Sequence, residues 1–249
     1  MGNLLFIHGK GDYGGRFYEL GTGLLLQGWN SYAPDLRGFG RTPGWRGWVP
    51  RFNHYLQDLE VIQQQIQAPI WVGYSTGANL AVEYALSHPG ELRGLVLISP
   101  AFSIASYFTP LTLRTLLLLE KIAPWLILKN RYTPSKVTSL PEQQTNMSLD
   151  PWITGISRAR FVAELWRSGR RCIQRADQLN LPMLILYTSR DRVVDAEGAV
   201  KFFQALQPGG AEVTLQEFPE SEHDLLHDRD AGSVMQTISA WIQRIMQSS

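Results

Sequence analysis

The chain has 249 residues, 44% of them hydrophobic and 18% charged, with a formal net charge of +1. That length suits one globular domain with a large core, and the near-zero charge excludes the strong basic field that holds nucleic acid. A single cysteine, Cys172, excludes an internal disulfide and suits a reducing, cytoplasmic compartment.

The opening stretch, MGNLLFIHG, lacks a basic n-region and a long apolar h-region, so no signal peptide is expected, and Phe6 breaks the myristoylation pattern. Residues 4–7 form a short apolar run that stops at His8-Gly9 and read as a buried strand. A Gly-rich loop, GKGDYGG, leads into a helical stretch near residues 17–27, then a second strand at 30–33. Residues 34–50 are dense in Gly, Pro and Arg and read as loop. Phe52, Tyr55, Leu56, Leu59 and Ile62 recur at helical spacing and predict an amphipathic helix over 52–67. A third strand at 70–73 precedes a helix at 78–86, and a fourth strand at 95–98 ends at Ser99-Pro100. Further on come a strand at 181–187, a helix at 196–206, a strand at 213–218 and a closing helix at 234–246. Strands alternating with helices imply right-handed crossovers and a mostly parallel sheet of six strands, covered on both faces.

About 80 residues between the fourth and fifth strands break this rhythm, too many for a plain loop in a compact domain. Pro124, Pro134, Pro141 and Pro151 punctuate apolar, helix-like pieces there. Residues 102–177 are read as a helical cap inserted into a single domain spanning 1–249. The most apolar segment, 111–128, is interrupted by Arg114, Glu120, Lys121 and Pro124, and so predicts no membrane span.

Gly73-Tyr74-Ser75-Thr76-Gly77 matches G-x-S-x-G, with a strand before it and a helix after it. That context is what a nucleophile elbow requires: a cramped turn that lifts a hydroxyl above the carboxyl ends of the sheet. A serine hydroxyl needs a base to take its proton. In the chain order Ser, acid, His, the histidines after Ser75 are His88, His223 and His227. His88 reads as a helix terminus and His227 as a supporting residue, which leaves His223, in the loop after the last strand, as the base. Asp191, just past a strand end, is the expected acid; Asp195 reads as an N-cap. The oxyanion donors would be the backbone N–H groups of Thr76 and of Lys10 in HGKGD, with His8 shaping that loop. No metal or organic cofactor is expected, because HDLLH lacks the glutamate of H-E-x-x-H.

The same residues carry a wider resemblance. HGKGDYGGRFYEL, PDLRGFGRTPGWRGWVPRFNHYLQDL, RGLVLISPAF, SRDRVVDAEGA and HDLLHD, in that order, resemble the α/β-hydrolases of the monoacylglycerol lipase and lysophospholipase branch, of the serine aminopeptidase S33 type. The likeness covers nearly everything outside the cap. It implies an α/β-hydrolase fold with Ser75, Asp191 and His223 as the triad and Lys10 and Thr76 at the oxyanion. The chain departs at Tyr74 and Thr76, where the branch often has His and Met, and at Phe39 and Thr42, where it has His and Ser. It also begins at the H-G strand, where the family normally has two strands before it: either that hairpin has been lost or the sequence is a shortened form, and without it the sheet would have a newly exposed edge.

The function implied is a carboxylic-ester hydrolase working through an acyl-enzyme on lipid-like esters of the monoacylglycerol or lysophospholipid class. The aromatic residues Tyr74, Phe108, Trp125, Trp152, Phe161 and Trp166 are candidate walls for an apolar acyl chain, each also explicable as core. An apolar cap would allow transient contact with a membrane surface, peripheral rather than spanning. The sequence leaves the oligomeric state unspecified. Two alternatives stay open: an acyltransferase or thioesterase with the same triad, and a non-catalytic ligand-binding module on the same fold.

Overall fold

The short apolar runs become the strands of one parallel sheet in the computed structural model, which describes residues 2–104, 109–128, 133–206 and 212–247. These strands are β1 (Gly2–Ile7), β2 (Trp29–Tyr32), β3 (Ile70–Tyr74), β4 (Gly94–Ile98), β7 (Met183–Tyr187) and β8 (Val213–Glu217). They lie in the order β2-β1-β3-β4-β7-β8, with Leu4 opposite Ile70, Trp71 opposite Leu95 and Leu95 opposite Met183. All six are parallel, so every link between neighbours is a crossover, and the loops that follow the strands gather at one end.

β3 and β4 are buried throughout because helices cover both faces of the sheet, which explains their unbroken apolar runs. Alternate side chains of a strand still divide between the faces. Leu5, Ile7, Trp71, Leu95, Leu97 and Ile185 pack under α2 (Asn53–Ile66), α3 (Thr76–Ser87), α7 (Ala159–Gln174) and α8 (Glu197–Ala205). Leu4, Phe6, Val72, Val96, Ile98 and Leu186 pack under α1 (Tyr18–Leu25) and α9 (Ala231–Gln247).

Most boundaries shift by one to three residues from the sequence reading, and two of the shifts have a clear cause. The helix expected over 17–27 opens as a 3₁₀ turn, Gly14–Phe17, before α1 begins. The strand expected from 181 starts at Met183. Pro182 has no N–H to add to the ladder, and its carbonyl instead accepts the Leu95 N–H at 3.0 Å.

Between β4 and β7 the chain forms α4 (Pro110–Ile122), β5 (Ile127–Leu128), α5 (Pro134–Val137), α6 (Pro141–Leu149), β6 (Ser157–Arg158) and then α7. Pro110, Pro134 and Pro141 each open a helix, where a missing N–H costs nothing. The last helix of this segment packs onto the sheet. Phe161, Leu165 and Cys172 of α7 share the sheet's own core, and Arg171 pairs with Glu83 of α3 at 2.7 Å. α4 rides on α7 through buried Glu120, which pairs with Arg160 at 2.9 Å and with Arg167. The outer side of this segment carries exposed Leu111, Leu118, Ile122, Trp125, Leu126 and Ile127. No helix among the described residues is long and apolar enough to cross a membrane.

Candidate active site

β3 runs straight into α3 through one residue, Ser75, whose φ of 52° and ψ of −115° no unstrained L-residue adopts. The neighbouring glycines make that turn possible. A Cβ on Gly77 would lie 2.0 Å from the Ile7 carbonyl oxygen, and one on Gly73 would lie 2.6 Å from the Ala78 backbone. Hydrogen bonds fix the turn from outside: the Ser75 N–H donates to the Ile98 carbonyl at 2.8 Å, and its carbonyl accepts from Ala78 N–H at 3.1 Å. The side chain thus stands at the N-terminus of α3, over the carboxyl ends of the strands.

The loop after β8 brings His223 to this hydroxyl, with Nε2 at 3.1 Å from Ser75 Oγ. The other ring nitrogen, Nδ1, lies 2.6 Å from Asp191 Oδ2, in the loop after β7. The second carboxylate oxygen of Asp191 accepts the Val193 and Val194 N–H groups at 2.7 and 2.8 Å. That carboxylate therefore cannot turn away without losing two further bonds. Both His223 and Asp191 are almost fully buried. With Nδ1–H committed to Asp191, Nε2 faces the hydroxyl as an acceptor.

The loop after β1 passes against the same serine; a Cβ on Gly9 would stand 3.1 Å from Ser75 Cβ. Lys10 sits inside the turn that Asp12 N–H closes on the Gly9 carbonyl at 3.3 Å. Thr76, the first residue of α3, carries one of the amides that a helix N-terminus leaves without an intrahelical partner. Burial pulls the Lys10 ammonium down to about 8. His8 is the loop former expected of it. Its Nε2 accepts the Leu36 N–H at 2.9 Å, and its Nδ1–H donates to the Gly9 carbonyl at 2.7 Å.

The other histidines separate by environment. His88 stacks on Tyr84 at the end of α3, ring centroids 4.1 Å apart. His227 lies in a turn rather than a helix, with Nδ1 at 3.0 Å from the Asp224 carboxylate. Asp195 accepts the Glu197 N–H at 3.1 Å, at the entrance to α8.

The candidate wall residues do not form one surface. Tyr74 is buried with its ring 5.2 Å from the His223 imidazole. Phe161 is fully enclosed against Phe39 and Phe52 in the core. Trp166 packs on the same core, with the Arg170 guanidinium over its ring at 4.9 Å. Trp125 is exposed, and so is Trp152, with Arg41 lying 5.5 Å from its ring. Phe108 lies outside the described residues.

Several supports of the histidine went unread in the sequence. Ser99, itself at φ 44°, donates from Oγ to the His223 carbonyl at 2.7 Å. The Asp224 N–H donates to the Val137 carbonyl at 2.8 Å, and Thr138 Oγ1 donates to the His227 carbonyl at 3.0 Å. These partners lie 89 or more residues apart along the chain in the two side-chain cases, so no local pattern announces them.

Known proteins share this architecture. The chain is 24% identical over 253 residues to a monoacylglycerol lipase of Mycolicibacterium smegmatis, which takes in 97% of this chain and 88% of that protein. It is also 24% identical to Escherichia coli protein YnbC, of whose length it spans 42%. The crystal structure of Paleococcus ferrophilus monoacylglycerol lipase superimposes with a TM-score of 0.91 at 23% identity, over 98% of this chain and 95% of that one. The family model described as serine aminopeptidase, S33, matches residues 1–230. The chain belongs to that family, and it shares its fold with the monoacylglycerol lipase structure.

Proposed function

We propose that the chain is a serine carboxylic-ester hydrolase acting on lipid-like esters of the monoacylglycerol or lysophospholipid class. The observation that carries this reading is the unbroken contact from Asp191 through His223 to the strained Ser75. Membership of the S33 family and the names of the lipase relatives support the choice of ester.

Ser75 Oγ attacks the ester carbonyl carbon while His223 Nε2 takes the hydroxyl proton. The negative oxygen of the tetrahedral intermediate accepts from the N–H groups of Thr76 and Lys10, donors worth roughly 3–4 kcal/mol where they are preorganised. As the intermediate collapses, the C–O bond to the alcohol breaks and the alcohol leaves with the proton from His223. Water, deprotonated by His223, then attacks the acyl carbon and releases the acid and Ser75. Asp191 holds the imidazole's orientation and stabilises the imidazolium.

Residues 102–177 serve in this reading as the cap on the acyl side. The exposed apolar face of α4 and β5 supports transient contact with a lipid surface, the source of such substrates. Hydrolysis of p-nitrophenyl esters from acetate to decanoate tests the substrate class. Each methylene buried adds up to about 0.8 kcal/mol, roughly fourfold in kcat/KM. A rise across the series, together with glycerol release from a monoacylglycerol, is the expected result. A preference for acetate over decanoate overturns the lipid reading.

A further inference from the structure

β1 and β8 are separated in the sheet by β3, β4 and β7, four ladder spacings or about 19 Å. The loop after β1 carries Lys10, and the loop after β8 carries His223. Acyl transfer needs the two loops held at one distance over Ser75, yet no ladder hydrogen bond joins their strands.

Where the two loops come together over the sheet, Arg16 links them. Arg16 lies in the 3₁₀ turn that follows the donor loop and is largely buried. Its Nη2 donates to Asp224 Oδ2 at 2.5 Å, and Asp224 is the residue directly after His223. Its Nε lies 3.5 Å from Asp12 Oδ1, and Asp12 is the residue whose N–H closes the turn around Lys10. His227 completes the cluster, with Nδ1 at 3.1 Å from Arg16 Nη2 and 3.0 Å from both Asp224 oxygens. We infer that Arg16 is a positioning residue, a buried guanidinium that ties the oxyanion-donor loop to the histidine loop and sets the distance between Lys10 N–H and the His223 imidazole. This rests on the reading of Ser75, His223 and Lys10 given above.

The groups around it fit the role. The neighbouring His227 and Arg16 hold the Asp224 carboxyl well below the usual carboxylate range despite its burial, so the anchor beside His223 is charged. Burial pushes Asp12 up to about 6, against the pull of Arg16. Removing Arg16 would take away the cation that lies between Asp12 and Asp224, Asp12 would take up a proton, and the ionic tie between the two loops would be lost. The distance between donors and base would then relax. That loss falls on the transition state, where the oxyanion forms, and not on the resting substrate.

The test is steady-state hydrolysis of a p-nitrophenyl ester by wild type, Arg16→Gln, Arg16→Lys and Asp224→Asn. Rates are divided by the active sites counted in a completed fluorophosphonate titration. Arg16→Gln should lower kcat per titrated site by about 10–100-fold with KM within about twofold, because the loss is confined to the transition state. Arg16→Lys, which keeps the charge but lacks the Nε that lies 3.5 Å from Asp12, should fall between wild type and Arg16→Gln. Arg16→Gln combined with Asp224→Asn should lose no more than Arg16→Gln alone. An unchanged kcat per titrated site in Arg16→Gln, or losses that multiply in the double variant, overturns the inference. If Arg16→Gln does not fold, Arg16→Lys decides: a kcat at least about threefold down with KM retained supports it, and wild-type kcat overturns it. A wild type that neither titrates nor turns over contradicts the hydrolase reading itself, which is a separate outcome.

Discussion

Five histidines share one side-chain chemistry, and neighbours alone divide their work. His223 has a carboxylate on one nitrogen and a hydroxyl on the other. His227 leans on Asp224, which raises its pKa although burial works against this. His8 has a backbone carbonyl on one nitrogen and a backbone N–H on the other, an arrangement only the neutral ring can satisfy. Burial therefore lowers His8 from 6.5 to about 4. The folded state refuses a proton that the unfolded chain accepts, so this contribution is complete above pH 6.5 and is lost as pH falls towards 4. The shift corresponds to about 3 kcal/mol of stability by linkage. Urea unfolding from pH 7.5 to 4 should show wild type losing that much relative to His8→Gln. Parallel curves for the two proteins would contradict the assignment.

At the scale of elements, the strand–turn–helix around Ser75 follows from small residues at two positions. Gly77→Ala would drive a methyl into the Ile7 carbonyl, where backbone meets backbone and neither can yield. The expected result is a loss of about 3 kcal/mol or more, or failure to fold. Gly23, on the exposed side of α1, has nothing within 4 Å of an added Cβ. Gly23→Ala should stabilise by about 0.5–1 kcal/mol through helix propensity. Paired thermal melts check both signs; equal melting temperatures would show that packing at the elbow does not govern the fold. The elements themselves were legible because apolar runs and helical spacing are local signals. Pro182 shows the limit: the apolar run continues through it, but the ladder needs an N–H that proline lacks.

For the whole molecule, chain order made the meeting of Ser75, Asp191 and His223 readable, since the strand ends of a parallel sheet lie on one side whatever the spacing between them. The aromatic walls were not readable. Phe161 and Trp166 belong to a helix that the sheet claims for its own core, while Trp125 and Trp152 face outward. An apolar residue in the inserted segment can serve the core, an acyl chain or a lipid surface, and its type is the same in each case. Tertiary contacts decide, as they do for Ser99 and Arg16, whose partners come from distant loops. The central claim is that these loops assemble an activated Ser75, and the most direct measurement is the rate at which a fluorophosphonate forms a covalent adduct on the folded protein, located by peptide mass spectrometry. The account predicts one adduct, on the peptide holding Ser75, absent in Ser75→Ala and slowed at least about 100-fold in His223→Ala. No adduct at Ser75, or an equal rate without the imidazole, would contradict it.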